Sequence, residues 1–312
     1  MPPPRDSAAV LFPGALGDFI CFLPTLRALR GRHAGQLLLV AQPALLDLVE
    51  LPALATASID RREIADLFAV DAETAPATRA LFEGFDSVYS WTGFGNPDFS
   101  QRLAATSRGR LSVFRFRGML RGEHAADYYA RCVGVAPSPL GAPSIRRDQV
   151  WLTAFKQRHH LDARRVLVVH PGSGSPSKNW QGFEPMILGW CRRHADTIVL
   201  LRGPAEARDS IRNVPEVIAV DGLSLPQVAA LLGDSALYLG NDSGISHLAG
   251  AVGARAVVLF GPSDPSVWAP RGERVHVVYA PTPCTACPGT FCVHRLPVDS
   301  VTGALEARSA ER

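Results

Sequence analysis

The sequence predicts an α/β protein made of two domains, each built around a parallel β-sheet. Short apolar runs that suit buried strands alternate along the chain with segments of helical periodicity, as parallel sheets require. The length of 312 residues exceeds that of a usual single core and favours two domains. We place the first domain at residues 1–145 and the second at residues 146–312, with the loop-like segment Pro137–Pro143 as a linker.

Composition and charge exclude several classes of protein. Hydrophobic residues make up 47% of the chain and charged residues 20%, so the chain can bury a core and is not disordered. A net charge of +3 is too small to indicate nucleic-acid binding by itself. No apolar run reaches the roughly 18 residues of a membrane-spanning helix, and the opening residues lack the apolar core of a signal peptide. We therefore expect a cytoplasmic protein.

The stretch from Tyr238 to Gly253 reads as a strand, a tight turn and a helix, and the turn carries the polar residues. Asn241–Gly244 is a cluster rich in residues that begin helices. A helix that begins here directs free backbone N–H groups toward the carboxyl edge of the sheet, which favours phosphate binding. The next strand, Ala254–Phe260, ends at the same edge, where open α/β folds bind ligands.

A second loop suited to a ligand, Pro171–Trp180, follows the strand Arg165–His170. Its small residues let the backbone approach a ligand, and hydroxyls such as that of Ser173 can bind phosphate oxygens. The chain has two lysines, Lys156 and Lys178, so the lysine at the end of this loop suggests a specific role. The alternative is a flexible surface loop, and the Gly-Lys-Ser/Thr order of a P-loop is absent.

A third polar turn, Pro13–Asp18, joins the strand Ala8–Phe12 to a helix predicted at Phe19–Arg30. Its glycines lack the third member of the dinucleotide-binding spacing. Asp18 has two compatible interpretations. It can cap the helix, or it can stand at the top of a strand as a carboxylate available for general-base catalysis.

Six arginines without an acidic neighbour lie between residues 102 and 121. Phe114 and Phe116 alternate with two of them, which suits a strand with one solvated face. The alternatives are such a solvated face or a site for an anionic acceptor, phosphorylated or at an anionic membrane surface. Nucleic acid is disfavoured because no aromatic stacking platform or basic helix accompanies the arginines. The set comprises Arg102, Arg108, Arg110, Arg115, Arg117 and Arg121.

A Cys-x2-Cys-x4-Cys-x-His pattern runs through Cys284, Cys287, Cys292 and His294. Four potential zinc ligands in so short a segment indicate either a structural zinc site or reduced thiols packed in a loop. A disulfide is disfavoured in a cytosolic protein. We expect no catalytic metal.

Three separated segments together resemble glycosyltransferase family 9, the ADP-heptose:lipopolysaccharide heptosyltransferases. They are Gly14–Leu29, His170–Trp180 and Gly240–Asp264, in the family's order and across most of the chain. The resemblance implies a GT-B fold, with two Rossmann-like domains facing a central cleft, the acceptor on the first and the nucleotide sugar on the second. It further implies inverting, metal-independent transfer of heptose from ADP-heptose to a lipopolysaccharide core, with no cofactor besides the donor substrate.

By the same resemblance, Asp18 looks like the base that activates the acceptor, and Lys178 looks like the contact to the donor phosphates. Glu206 resembles the acid that binds ribose, although an acid near a helix start also suits the helix dipole. Leu223 falls where the family lines its adenine pocket. The diphosphate and sugar loop would comprise Asp242, Ser243, Gly244 and His247.

One departure from the family concerns Phe12–Pro13, which stand where members often carry a basic residue. Two alternatives therefore stay open: a transferase that uses another nucleotide sugar, and a catalytically silent sugar-nucleotide binding protein.

An anionic lipopolysaccharide-type acceptor would meet the arginine set, with peripheral contact at the inner face of the cytoplasmic membrane. The last helix, predicted from Leu305, is expected to pack back on the first domain.

Overall fold

The computed structural model describes residues 6–69, 74–107, 109–136, 145–161, 165–203, 211, 217–280 and 292–310. The chain divides into two compact units. The first comprises Met1–Arg121 and Ala125–Ser144, and the second comprises Gly122–His124 and Ile145–Arg312. The predicted linker, Pro137–Pro143, lies outside the described residues.

The described part of the first unit contains a five-stranded sheet in the order β3-β2-β1-β4-β5, and every neighbouring pair is parallel. Its strands are β1 (Ala8–Leu11), β2 (Leu37–Ala41), β3 (Leu54–Ser58), β4 (Ser87–Ser90) and β5 (Arg110–Val113). Its helices are α1 (Leu16–Arg32), α2 (Pro43–Leu46), α3 (Arg62–Asp66), α4 (Pro76–Phe82), α5 (Pro97–Thr106) and α6 (Ala125–Cys132).

The described part of the second unit contains a six-stranded parallel sheet in the order β11-β10-β9-β6-β7-β8. Its strands are β6 (Val166–His170), β7 (Thr197–Leu201), β8 (Val217–Val220), β9 (Leu237–Asn241), β10 (Ala256–Phe260) and β11 (Val275–Tyr279). Its helices are α7 (Gln149–His159), α8 (Phe183–Arg193), α9 (Leu225–Asp234), α10 (Gly244–Ala251), α11 (Pro265–Trp268) and α12 (Val298–Ala310).

The central strands of both sheets are the ones that the apolar runs predict. Every residue of β1, β2, β6, β9 and β10 is buried. A strand covered by helices on both faces needs apolar side chains on both faces, so such strands read as continuous apolar runs. The two parallel-sheet α/β units confirm the predicted fold class.

Two parts of the first unit differ from the sequence prediction. Residues 51–85 show no apolar run from which a strand would be predicted, yet they contain strand β3, whose small and half-exposed residues form the edge of the sheet. The strand predicted across Phe114–Arg117 is absent, because β5 ends at Val113. The alternating exposure there arises from packing: Phe114 lies against Trp91 and Phe116 against Phe12, at ring-centroid distances of 4.9 and 5.9 Å.

Helix α12 contributes its buried residues Val301 and Leu305 to the core of the second unit, together with side chains from α8, β9 and β10. The expectation that the last helix packs back on the first domain stays a prediction. None of the helices in the described part of the chain is both long enough and apolar enough to cross a membrane.

We expect Leu305→Ala to lower the free energy of unfolding of the protein by about 2–5 kcal/mol, because it leaves a cavity in the core of the second unit. Chemical denaturation monitored by circular dichroism measures the change. Val150→Ala is the matched control, since this residue of α7 is 84% exposed. Equal stability of the two variants would contradict the assignment of α12 to this core.

Candidate functional site

Both sheets reverse their winding direction next to a polar loop. In the first unit the chain builds β1, β2 and β3 outward on one side and then returns to add β4 on the other side of β1. In the second unit it builds β6, β7 and β8 and then returns to place β9 beside β6. The loops that follow the two central strands therefore diverge, which opens a crevice at the carboxyl edge of an α/β sheet. Asp18 follows β1, Lys178 follows β6 and Asp242 follows β9.

Asp18 lies in the first turn of α1 and is 5% exposed. It is not the N-cap: Ala15 occupies that position, and no side chain bonds to the helix start. The capping interpretation of Asp18 is therefore wrong, because the helix begins three residues earlier than the sequence predicts. A carboxylate in the first turn is still favoured by the helix dipole.

Arg117 holds the Asp18 carboxylate by two hydrogen bonds. Its Nη2 donates to Oδ2 at 2.9 Å and its Nε donates to Oδ1 at 3.3 Å. The hydrogen bond to Asp18 raises the pKa of the Arg117 guanidinium above its usual value, against the opposing effect of partial burial. The Arg117 side chain is 57% exposed and that of Asp18 only 6%, so solvent reaches one partner of this pair far more than the other.

The Tyr129 hydroxyl lies 3.4 Å from Oδ1 of Asp18. Burial and then the negative charge of Asp18 raise the pKa of this hydroxyl well above its usual value, so it stays protonated and can donate. Tyr129 is fully buried in α6 and contacts Phe12 edge to face at 5.3 Å. It is a site residue that sequence analysis missed, because it is 111 residues from Asp18 in the chain.

An aromatic cluster forms the wall beside Asp18. Phe12 is fully buried, stacks on Phe22 at 4.2 Å and meets Trp91 edge to face at 6.1 Å. At Gly14, a Cβ atom would lie 2.8 Å from that of Asp18 and would press on the Phe12 ring. The position where the family often carries a basic residue is thus occupied here by a ring that packs into the core.

In the second unit, the Lys178 ammonium donates to Oδ2 of Asp242 at 2.6 Å. Lys178 ends a short 3₁₀ turn, Pro176–Lys178, and its side chain is 29% exposed, whereas that of Asp242 is 5% exposed. The pair joins the two loops that diverge from β6 and β9. A carboxylate would repel a phosphate, so Asp242 does not favour phosphate binding by its own charge. In this structure it holds the Lys178 ammonium in place.

Asn241 ties the same two loops together at their base. It is fully buried, its Oδ1 accepts from the Trp180 backbone N–H at 3.1 Å, and its Nδ2 donates to the Pro171 carbonyl at 2.6 Å. It thus bonds both ends of the loop that carries Lys178. Sequence analysis placed it in the turn without a role of its own. The available signal was its position, a polar residue at the end of an otherwise apolar strand.

Ser243 is the N-cap of α10, and its Oγ accepts from the Ser246 backbone N–H at 3.3 Å. Gly244 begins the helix, and His247 lies on its buried side at 4% exposure. The Ser173 hydroxyl lies 2.7 Å from both the Ser175 carbonyl and Oδ1 of Asn179. These two hydroxyls therefore shape the backbone of their loops.

The remaining predicted residues are less informative. Leu223 is half-buried in the segment after β8, just before α9. Cys292 is buried and His294 is exposed. Glu206, Cys284, Cys287 and Arg108 lie outside the described residues. Among the residues that are described, no group of three or more His, Cys, Asp or Glu side chains is arranged to hold a metal ion. The zinc interpretation of the cysteine segment stays a prediction.

The described arginines of the set make different contacts. Arg102 on α5 lies 3.5 Å from the Asp66 carbonyl, and the Arg115 guanidinium lies over the Phe94 ring at 5.2 Å. Arg110 opens β5 and is exposed, as is Arg121. Among the described members of the set, the contact with Asp18 belongs to Arg117.

The sequence model of the family described as "Glycosyltransferase family 9 (heptosyltransferase)" matches residues 140–295, which is half of the chain. The chain belongs to glycosyltransferase family 9. The match includes Lys178, Asn241 and Asp242, whereas Asp18 and Arg117 precede it. The family match thus covers almost only residues of the second unit. The resemblance described from the sequence covers more of the chain, because it also includes the segment Gly14–Leu29 of the first unit.

Several known proteins are similar to this family-9 chain, and the chain spans less than half the length of the curated relatives it matches. Lipopolysaccharide heptosyltransferase 3 of Escherichia coli (strain K12) is 28% identical over 154 residues, 44% of this chain and 45% of that protein. A glycosyltransferase family 9 crystal structure from Veillonella parvula superposes with a TM-score of 0.77 at 22% identity, covering 100% of this chain and 99% of that one. E. coli heptosyltransferase WaaC with ADP gives 0.65 at 18% identity, covering 97% and 99%. These structural likenesses support the GT-B fold.

We expect Asn241→Ala to destabilise the second unit of this family-9 protein, because the Trp180 N–H and the Pro171 carbonyl lose their partner in a buried place. Each buried polar group left without a hydrogen bond costs about 1–3 kcal/mol. Thermal and denaturant unfolding measure the loss. Gln181→Ala, which removes an exposed side chain near the same loop, is the control. Wild-type stability of Asn241→Ala would contradict the proposed tie.

Proposed function

We propose that the protein is an inverting, metal-independent glycosyltransferase that moves heptose from ADP-heptose to a lipopolysaccharide core acceptor. Membership of the family supports the reaction class. The observation that carries the proposal is the placement of a buried carboxylate, Asp18, and a half-buried ammonium, Lys178, at the winding reversals of the two sheets. These are the two groups that transfer from a nucleotide sugar requires, one for each substrate.

The donor half of the proposal concerns the departing diphosphate, which needs positive potential to leave. Lys178 provides a charge, and the N–H groups at the start of α10 provide dipoles next to it. A diphosphate that binds Lys178 competes with Asp242 for the ammonium, so donor binding rearranges this pair. We assign Glu206 to the ribose hydroxyls and Leu223 to the adenine. The ADP seen with WaaC supports an adenine nucleotide as the donor's leaving group.

The acceptor half of the proposal assigns proton removal to Asp18. Its carboxylate takes the proton of the acceptor hydroxyl while the hydroxyl oxygen forms a bond to the anomeric carbon. The bond from that carbon to the diphosphate breaks, and its electron pair leaves with ADP. A single displacement of this kind inverts the configuration at the anomeric carbon. We place the reaction in the cytoplasm, with the acceptor at the inner face of the membrane.

A second candidate, transfer of another sugar from its nucleotide, is favoured by Phe12. This fully buried aromatic residue replaces a charge with an apolar wall beside Asp18. Because this ring is fully buried, it offers a substrate neither a charge nor an exposed surface, so a contact that a basic residue would supply is missing at this place. The donor preference decides between the two candidates.

The proposal predicts that the protein binds ADP in preference to UDP and GDP in EDTA-containing buffer, as measured by isothermal titration calorimetry. Lys178→Ala should weaken ADP binding by about tenfold or more, because a charge-assisted contact to phosphate is lost. Lys156→Ala is the matched control: it removes the other lysine of the chain, which is also paired with an aspartate, Asp234. Preference for UDP or GDP would favour the second candidate, and no nucleotide binding would contradict both.

We further expect Asp18→Asn to lower kcat for transfer by about 10²–10⁴-fold, since general-base catalysis contributes that much. ADP affinity should stay within about twofold of wild type, because the donor binds to the second unit. The control is Asp98→Asn, an exposed acid in the first turn of another helix of the first unit. Wild-type turnover by Asp18→Asn would remove the base assignment.

A further inference from the structure

Two buried hydroxyl groups lie beneath the turn that joins β9 to α10. Tyr238 of β9 and Ser246 of α10 are both fully buried. The Tyr238 hydroxyl lies 2.9 Å from Oγ of Ser246, and that Oγ lies 2.5 Å from the Asn241 backbone carbonyl. The strand, the turn and the first turn of the helix are therefore joined by side-chain hydroxyls as well as by the backbone.

A glycine makes room for these hydroxyls. Side chains two residues apart on a strand lie on the same face, so the Tyr238 side chain passes position 240 on its way to α10. A Cβ atom at Gly240 would lie 2.2 Å from the Tyr238 hydroxyl oxygen. A larger residue at this position would displace the hydroxyl, so the contact with Ser246 depends on Gly240.

The direction of each hydrogen bond follows from the carbonyl group at one end. A carbonyl oxygen carries no proton, so the Ser246 hydroxyl donates to the Asn241 carbonyl. This bond uses the one proton of the Ser246 hydroxyl, and its Oγ can then only accept. The Tyr238 hydroxyl is consequently the donor of the 2.9 Å hydrogen bond to Ser246.

Ser243, the half-buried N-cap of α10, has a hydroxyl proton that this arrangement does not need. Its Oγ accepts from the Ser246 backbone N–H at 3.3 Å and lies 3.3 Å from the Ser246 Oγ, a distance longer than is usual between two hydroxyls. Because Ser246 already accepts from Tyr238, the Ser243 proton is available to a ligand. The start of a helix is also where a phosphate group binds.

We propose that Tyr238 is a positioning residue for the donor: its hydroxyl satisfies Ser246 and so leaves the Ser243 hydroxyl free to donate to the donor diphosphate. This inference rests on the proposed binding of a nucleotide sugar at this turn. Without the Tyr238 hydroxyl, the buried Oγ of Ser246 loses its donor, and buried polar groups take a partner that is within reach. Ser243 is within reach, and its proton would then turn away from the phosphate.

This role differs from those of Lys178 and Asn241. Lys178 provides charge, and Asn241 holds the base of the two loops together. Tyr238 is fully buried and acts on the donor through the orientation of one proton. A hydrogen bond from a hydroxyl to a phosphate oxygen is charge-assisted and stronger than a bond between two neutral hydroxyls. The Ser243 proton therefore goes to the phosphate as long as Tyr238 satisfies Ser246.

The test measures ADP affinity by isothermal titration calorimetry for wild type, Tyr238→Phe, Ser243→Ala and the double variant. Tyr238→Phe keeps the ring and should weaken ADP binding about fivefold, because one hydrogen bond to phosphate is lost. Ser243→Ala should weaken binding at least as much, since it removes the same bond and the N-cap. The double variant should bind ADP as Ser243→Ala does, because the Tyr238 hydroxyl acts through Ser243.

A second background removes the acceptor to which Ser243 would turn. In Ser246→Ala, the Ser243 proton has no buried Oγ to satisfy, whether or not Tyr238 carries its hydroxyl. Tyr238→Phe should therefore cause no further loss of ADP affinity when it is combined with Ser246→Ala.

Thr302→Val is the matched control, because it also removes a buried hydroxyl of the second unit, one that donates to the Val298 carbonyl at 2.9 Å. It should leave ADP affinity unchanged, whatever its effect on the melting temperature. In transfer assays, Tyr238→Phe should raise KM for the nucleotide sugar and leave KM for the acceptor unchanged. A general loss of folded protein does not produce this split.

The outcomes distinguish this inference from the reaction on which it rests. If wild type binds ADP and Tyr238→Phe binds it equally well, the positioning role is overturned and the donor proposal stands. Additive losses in the double variant with Ser243→Ala would also overturn it, because the two hydroxyls would then act independently. If wild type binds no ADP, the donor proposal and this inference fall together.

Discussion

Parallel strand pairing is the constraint on which the rest of the structure depends. Because every pair of neighbouring strands in both described sheets is parallel, all strands of a sheet end at the same edge. The chain reverses its winding once in each sheet, beside β1 and beside β6. At each reversal, the loops after two neighbouring strands turn toward opposite faces of the sheet and leave a crevice between them. The polar side chains of these loops lie at this crevice.

Electrostatics at the two edges follow one pattern. In each unit a nearly buried carboxylate is paired with a more exposed cation, Asp18 with Arg117 and Asp242 with Lys178. A buried charge without a partner is costly, so the acid requires its cation for the stability of the edge. The cation is the accessible member in both pairs. Under the proposed function, an anionic substrate competes for this cation.

The sequence predicted the fold class because buried parallel strands are continuous apolar runs, and helices between them have their own periodicity. It predicted less well where packing rather than pattern decides. Strand β3 has small, half-exposed residues, and the segment after β5 alternates because two of its rings pack on Trp91 and Phe12. Asp18 was recognised, but its capping interpretation was wrong because the helix start lies three residues earlier.

The sequence by itself determined which residue types stand after which strands, and hence the parallel sheets, the polar loops and the family. Only the tertiary structure decided which of those residues meet. Arg117 and Tyr129 reach Asp18 from 99 and 111 residues away, and Asn241 bonds a loop 61 to 70 residues distant. Local patterns carry strand and helix propensity, whereas hydrogen bonds between distant segments depend on how the sheets bring those segments together.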